Sequence, residues 1–405
     1  MIRDNYLDIN KIVKDKKIFR LFRAVENHGG VLRFVGGAVR NALRGIEGSD
    51  LDLATDLTPD ELVEACMEQG LKTVPIGIKF GTVGVLINGK ILEVTSLRKD
   101  IKSDGRHSEV VFTTDWEIDA SRRDLTINAV YADEKGNVFD YYNGISDLEN
   151  GIVRFIGNPN IRIKEDYLRI LRFFRFYANF GIGDIDKKSL QACKDNFEGL
   201  KQLSGERIRD ELSKILLSSQ AAKVTKIMAD NGILDKILPE VKHFDNMEFI
   251  INLCKKYSLE PNWLRRLFIC FNPDTMLAES LANRLKFSKK DKLLFISWAE
   301  NKISLEQLTN KKILATLIYR LGKDFCYNKL ILEMAQQNQD IKNLSELLSF
   351  IQEIEIPIFP IKGRDLIALG LKENTQIGII LKKLETEWVE SNFSLSREDL
   401  LEKAI

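Results

Sequence analysis

The chain has 405 residues, 44% hydrophobic and 29% charged, with 25 Gly and 8 Pro, a composition that excludes a disordered or collagenous chain and predicts two to four packed units. The formal net charge of +1 hides a segregation: residues 1–150 carry 20 basic and 25 acidic side chains, residues 151–230 carry 15 and 10, and residues 231–405 carry 25 and 24. An acidic head joined to a basic middle argues against a protein that reads DNA along a whole face. It fits a polyanion gripped locally beside a carboxylate-bearing site.

Residues 9–27 place Ile9, Ile12, Val13, Ile18, Phe19, Phe22 and Val25 near helical spacing, which predicts one amphipathic helix ended by His28-Gly29-Gly30. Val31 to Val35 reads as a short buried strand, Gly36-Gly37 as a tight turn, Ala38 to Leu43 as the helix it opens, and Ser49 to Ala54 as a second strand. Thr58-Pro59-Asp60-Glu61 is a capping box with Pro at the first helical position, for a helix ending before Gly70. Val83 to Ile87 and Lys90 to Thr95 flank Asn88-Gly89, a strong hairpin signal. A second hairpin joins Val130-Tyr131 to Val138-Phe139 through Lys135-Gly136-Asn137. From about Ser146 the pattern is helical nearly to the end, so the expected fold class is α+β, a mixed-sheet head followed by an elongated all-α remainder.

No apolar run approaches the roughly 18 residues needed to cross a bilayer, and Met1-Ile2-Arg3-Asp4 opens no signal-peptide core, so a cytoplasmic protein without a membrane partner is expected. Five scattered cysteines with no CxxC pair predict reduced, mostly buried thiols rather than a disulfide framework or a zinc knuckle.

Asp50 and Asp52 stand at i and i+2 on the second strand, on one face with Cα atoms about 6.6 Å apart. Glu93, in Ile91-Leu92-Glu93-Val94, is a third carboxylate among apolar neighbours, where desolvation calls for a partner or a metal. Oxygen ligands without His or Cys select Mg²⁺ or Mn²⁺, ions that also hold substrate phosphates. About a dozen residues upstream, Gly36-Gly37-Ala38-Val39-Arg40 is a strand-to-helix turn, where backbone N–H groups can approach a phosphate and Arg40 adds a bidentate donor.

These residues resemble the class II tRNA nucleotidyltransferase and bacterial poly(A) polymerase family, within the polymerase-β-like nucleotidyltransferases. Gly36-Gly37-Ala38-Val39-Arg40 with Asp50-Leu51-Asp52 is similar to the first family motif, and Arg122-Arg123-Asp124-Leu125-Thr126-Ile127-Asn128-Ala129 to the second, which recognises the ribose. Tyr142 to Leu148, Glu165 to Arg172 and Glu206 to Leu212 are similar to the third, fourth and fifth. Arg98 to Arg106, with Asp104-Gly105-Arg106, resembles the flexible loop used in switching to the terminal adenosine. The first motif departs at Asn41, where Asp is usual. In the tail, Lys362-Gly363-Arg364-Asp365-Leu366 and Gly370-Leu371 resemble the closing segment of bacterial CCA-adding enzymes, with Glu373-Asn374-Thr375 in place of a proline-glycine turn.

The resemblance implies a catalytic head (1–145), a neck that recognises the base (146–220), a body (221–290) and a tRNA-binding tail (291–405). It implies addition of C, C and A to the 3′ end of tRNA from CTP and ATP, with Mg²⁺ held by Asp50 and Asp52, Glu93 as third carboxylate, and nucleotide contacts from Gly36, Gly37, Arg40, Arg123, Asp124, Asn128, Asp166, Arg169, Arg172 and Arg175. Period places residues 165–177 on one helix, with Asp166 and Arg169 paired at i and i+3. Cytosine and adenine both offer an amino donor beside a ring-nitrogen acceptor, so a carboxylate and a guanidinium satisfy them; uracil and guanine present a carbonyl instead. Poly(A) synthesis and partial CC or A addition stay open at this stage.

Overall fold

Short runs of alternating apolar residues build the head around one sheet. The structure, a computed structural model, describes residues 6–13, 15–46, 51–103, 108–240, 245–271, 273–370 and 375–404. It divides into two compact units, Met1–Glu240 and Val241–Ile405.

The first unit carries the strands β1 (Leu32–Val35), β2 (Asp52–Thr55), β3 (Lys72–Gly77), β4 (Thr82–Ile87), β5 (Lys90–Ser96), β6 (Arg98–Ser103), β7 (Ser108–Phe112), β8 (Val130–Ala132) and β9 (Val138–Asp140). Seven form a mixed sheet in the order β3-β4-β5-β2-β1-β8-β9, while β6 and β7 pair with each other. β2 runs parallel to β5 and antiparallel to β1.

Successive side chains on a strand point to opposite faces, so register assigns each face its residues. Phe34, Leu53, Val94, Val83 and Val130 pack into a core with α1 (Phe19–Asn27), α2 (Gly37–Leu43) and α3 (Pro59–Glu68), through residues such as Phe22, Val39 and Leu62. Each such large side chain contributes about 1.5–3 kcal/mol by leaving water. The opposite face carries a smaller cluster, with Val35, Ala54 and Tyr131 against Ala120 and Trp116 of α4 (Trp116–Ser121). There Arg33 lies over the rings of Trp116 at 4.1 Å and Phe139 at 3.5 Å.

The Thr58/Glu61 capping box forms as expected, and so do both hairpins. The single helix over 9–27 does not form. Asp8 and Asp15 cap two short 3₁₀ turns, Ile9–Lys11 and Lys16–Ile18, and the α-helix begins only at Phe19. The second strand is Asp52–Thr55 rather than Ser49 to Ala54, with residues 47–50 outside those described. β3, β6 and β7 were not expected: their residues are mixed or charged, and pairing rather than periodicity makes them strands.

The rest of the first unit is helical: α5 (Gly144–Asn150), α6 (Pro159–Glu165), α7 (Leu168–Phe180), α8 (Lys187–Asn196), α9 (Gly205–Leu217), α10 (Ala221–Asp230) and α11 (Leu234–Ile237). Buried Asp147 ties α5 to the chain on either side of it, accepting from Thr126 Oγ1 and Arg154 Nε, both at 2.7 Å. The second unit holds α12 (Asp245–Lys256) through α22 (Arg397–Glu402) among its described residues. In its aromatic cluster Phe268 packs edge to face against both Phe295 and Trp298, and a tail cluster gathers Leu366, Leu384 and Leu400 with Trp388. Asp365 of the tail motif accepts from the Lys362 N–H and pairs with Arg397 at 3.0 Å. All five cysteines are free and buried. No described helix is long and apolar enough to cross a membrane.

Candidate active site

Asp52 opens β2 on the sheet face away from α1, α2 and α3, because Leu53 beside it points into that helical core. In the parallel β2/β5 register Asp52 stands directly opposite Glu93, on neighbouring strands about 4.8 Å apart. Both side chains are exposed. The desolvation argument for Glu93 therefore fails; its register, not its burial, brings it beside Asp52. Asp50 lies outside the described residues, as do Asp104-Gly105-Arg106 and His107.

The β1/β2 register sets Phe34 opposite Leu53, which brings the end of β1 and the turn after it alongside Asp52. Gly36 has φ 62° and ψ −114°, a backbone conformation that residues with a Cβ rarely adopt. A Cβ on Gly36 would stand 3.5 Å from the Asn128 carbonyl oxygen and 3.6 Å from Arg123 Nη1. The glycine turn, Asp52 and the second motif thus converge.

Behind the turn runs a buried polar chain. Arg40 Nη1 donates to Asn128 Oδ1, Asn128 Nδ2 donates to Asp124 Oδ1 at 2.9 Å, and Arg172 Nε donates to Asp124 Oδ2 at 2.6 Å. The Asn128 amide is oriented by these unlike partners, oxygen to the arginine and nitrogen to the carboxylate. Burial opposes the charge on Asp124, but the Arg172 guanidinium and the Asn128 amide outweigh it and hold the carboxyl well below the usual carboxylate range.

Arg40 is buried and turned back toward α7, with its guanidinium over Phe176 at 4.9 Å and Phe180 at 4.6 Å. Burial first, and then the nearby Arg175, lower its pKa to about 10. Asn41 also holds it, accepting from Arg40 Nε at 3.1 Å and Nη2 at 2.9 Å. Arg172 and Arg175 lie against Phe176 too, at 5.4 and 4.4 Å. Arg175 Nε and Glu211 Oε2 stand 2.8 Å apart as an ion pair without hydrogen-bond alignment. Phe176, buried in α7, is the surface on which three guanidiniums gather.

The expected i,i+3 edge of Asp166 and Arg169 on one helix is not formed. Asp166 sits extended between α6 and α7, with φ −158° and ψ 108°. Its Oδ1 accepts from the Leu168 N–H at 3.0 Å and its Oδ2 from Arg207 Nη2 at 2.7 Å. Arg169, in the first turn of α7, pairs with Glu165 at 2.5 Å and donates to the carbonyl of Arg122 at 3.3 Å. Asp166 ends α6, and its carboxylate takes the N–H two residues on, at the first residue of α7, a local side chain-to-backbone bond that periodicity does not register. Next to it, the Tyr167 ring lies so close to Gly199 that a Cβ there would meet the ring at 2.1 Å.

Residues 32–154 match the family model of the poly A polymerase head domain, and residues 184–245 that of the probable RNA and SrmB-binding site of polymerase A. Over 393 residues the chain is 36% identical to the CCA tRNA nucleotidyltransferase 1, mitochondrial, of Mus musculus, covering 95% of this chain and 88% of that relative. The chain belongs to the CCA tRNA nucleotidyltransferase family. It is 28% identical over 394 residues to the CCA-adding enzyme of Staphylococcus haemolyticus (strain JCSC1435), covering 94% of this chain and 95% of that one. Its fold matches the Bacillus stearothermophilus CCA-adding enzyme in complex with CTP with a TM-score of 0.77 at 24% identity, covering 96% of each chain. It also matches the Thermotoga maritima CCA-adding enzyme complexed with tRNA, with a TM-score of 0.68 at 22% identity over 99% of this chain and 98% of that one.

Membership of the CCA tRNA nucleotidyltransferase family implies a divalent metal, and the residues present fit one. Asp52 and Glu93 present hard carboxylate oxygens side by side, without the His or Cys that would favour zinc. Among the described residues no third acidic or sulfur ligand joins them. Arg207 and Glu211, which hold Asp166 and Arg175, lie in the segment that resembles the fifth motif but carry no role from sequence, and Asp119 of α4 was missed altogether. The spacing of Asp119 from Arg122 and Arg123, i,i+3 and i,i+4, was its available signal.

Proposed function

We propose that the protein adds C, C and A in turn to the 3′ end of tRNA from CTP and ATP, releasing pyrophosphate, without a nucleic-acid template. The observation that carries this reading is Asp52 beside Glu93 on the open sheet face, next to the Gly36 turn and the Arg123-Asp124-Asn128 cluster. Asp52, with Asp50 and Glu93, would hold Mg²⁺, and the chemistry that ion supplies when bound is a more acidic 3′-hydroxyl and a neutralised leaving group.

The chain's own groups bind and orient. Backbone N–H groups at Gly36 and Gly37, with Arg123, Arg172 and Arg175, take the phosphates and ribose, and Arg40 keeps Asn128 in place. Asp166 retains lone pairs beyond its bonds to Arg207 and the Leu168 N–H, so it accepts from the amino group of cytosine or adenine while an Arg169 N–H donates to the ring nitrogen. Uracil and guanine would leave these groups unpaired at roughly 1–3 kcal/mol each. Residues 1–145 serve as catalytic head, 146–220 as neck, 221–290 as body and 291–405 as the tRNA-binding tail.

Incubation of the purified protein with tRNA lacking its 3′ terminal CCA, with CTP and ATP, is expected to give a product exactly three nucleotides longer; CTP alone gives two. A long adenosine ladder would instead assign poly(A) synthesis, and arrest after CC or growth only from CC would assign partial addition. Asp166→Ala is expected to narrow the preference for CTP over UTP by roughly tenfold to a hundredfold. An unchanged ratio in single-nucleotide extension would remove Asp166 from base selection.

A further inference from the structure

The buried carboxylate of Asp119 (1% exposed) accepts from four residues at once. Arg122 reaches Oδ1 through Nη2 at 2.6 Å and Nε at 2.8 Å. Arg123 Nη2 reaches Oδ2 at 3.2 Å, and the Tyr131 hydroxyl donates to the same oxygen at 2.8 Å. The backbone N–H of Arg98, the first residue of β6, donates to Oδ1 at 3.4 Å. One side chain therefore joins α4, the inner strand β8 and the root of the β6/β7 hairpin.

Its effect on Arg123 is directional. A free arginine side chain samples many rotamers, but here Nη2 is held by Asp119 and Nε donates to the Tyr131 hydroxyl at 3.2 Å. Those two bonds leave Nη1 facing the glycine turn, 3.6 Å from where a Cβ of Gly36 would stand. The carbonyl of Arg122, the other arginine on this carboxylate, accepts from Arg169, so the same anchor lies one residue from the base-reading edge.

We propose that Asp119 is a positioning residue for nucleotide transfer, which aims Arg123 at the nucleotide phosphates beside Gly36 and fixes the root of the β6/β7 hairpin. This rests on the assignment of Arg123 to nucleotide binding. A buried carboxylate satisfied by two guanidiniums and a phenol trades cost for orientation, and replacing its charge leaves the arginines to reorient.

The test compares Asp119→Asn, Tyr131→Phe, Arg123→Ala and the Asp119→Asn/Arg123→Ala pair in steady-state extension with CTP and with ATP. Asp119→Asn, close in shape, is expected to raise KM for both nucleotides about tenfold while kcat falls less than threefold. Tyr131→Phe, which removes one hydroxyl and no charge, should raise KM two- to threefold. In KM for the nucleotide the double variant should be no worse than Arg123→Ala alone, because on nucleotide binding Asp119 acts through that guanidinium. Hydrogen exchange at the Arg98 amide should quicken in Asp119→Asn. A lower kcat at unchanged KM in Asp119→Asn, with KM raised in Arg123→Ala, would mark Asp119 as merely structural and overturn the proposal. An unchanged KM in Arg123→Ala would overturn the assignment beneath it, and the proposal with it.

Discussion

Replacing Asp52 by alanine is expected to lower nucleotide incorporation by about a thousandfold or more while leaving tRNA retention and melting temperature nearly unchanged. Electrostatic stabilisation of a phosphoryl centre by a metal supplies several kcal/mol, and each 1.36 kcal/mol is a factor of ten. Asp52 and Glu93 provide adjacent oxygens on the open face, and removing one halves that described donor set. The fold should tolerate the change: Asp52 is exposed at the start of its strand, and surface substitutions of this kind usually stay within about 0.5 kcal/mol. Retention of tRNA on a filter should persist, since the excess of basic side chains lies in residues 151–230. Residual turnover above a tenth of wild type would remove Asp52 from the metal site.

Asp124→Ala is expected to damage stability as well as activity. Its carboxylate holds the Leu125 N–H, the Asn128 amide and Arg172, and truncation leaves a partly buried guanidinium without its countercharge. Breaking a buried pair in this way costs about 3–5 kcal/mol, and at a few degrees per kcal/mol thermal unfolding should fall by roughly 10 °C. The pH dependence has a definite sign. A carboxyl held below its unfolded value contributes stability that is fully present above that value, near 4, and is lost as pH falls toward the folded value. The gap between wild type and variant should therefore be constant from about pH 5 to 8 and shrink only in stronger acid, as thermal melts across that range would check. A variant as stable as wild type at neutral pH would contradict the Arg40–Asn128–Asp124–Arg172 chain.

Legibility followed the range of the interaction. The capping box at Thr58, the Asn88-Gly89 turn and the Gly36-Gly37 turn were readable because each is decided by a few adjacent residues. The α+β head and helical remainder followed from the change of period near Ser146, and the family, which the comparisons show, from the run of motifs. What stayed hidden was decided by side chains bonding to backbone or across long sequence gaps. Asp15 breaks the first helix by accepting from the Lys17 N–H, and Asp166 stands before α7 with its carboxylate on the Leu168 N–H. The partner of Asp166, Arg207, is 41 residues away, and that of Asp124, Arg172, is 48 residues away. The β6/β7 pairing joins Arg98 to Phe112 through mixed and charged positions with no apolar alternation to reveal it. Glu93 was named for burial and stands in place by register, which only the paired sheet displays.

The central claim is that the Asp52 and Glu93 face, beside the glycine turn, drives nucleotidyl transfer to RNA with a divalent ion. It is tested most directly by extension of tRNA ending in CC with ATP, first in excess EDTA and then after return of Mg²⁺, for the wild type and Asp52→Ala. The account predicts no product in EDTA, one added adenosine when Mg²⁺ is restored to the wild type, and almost none from Asp52→Ala in either condition with tRNA still bound. Adenosine addition in EDTA, or wild-type recovery by Asp52→Ala on return of Mg²⁺, would contradict it.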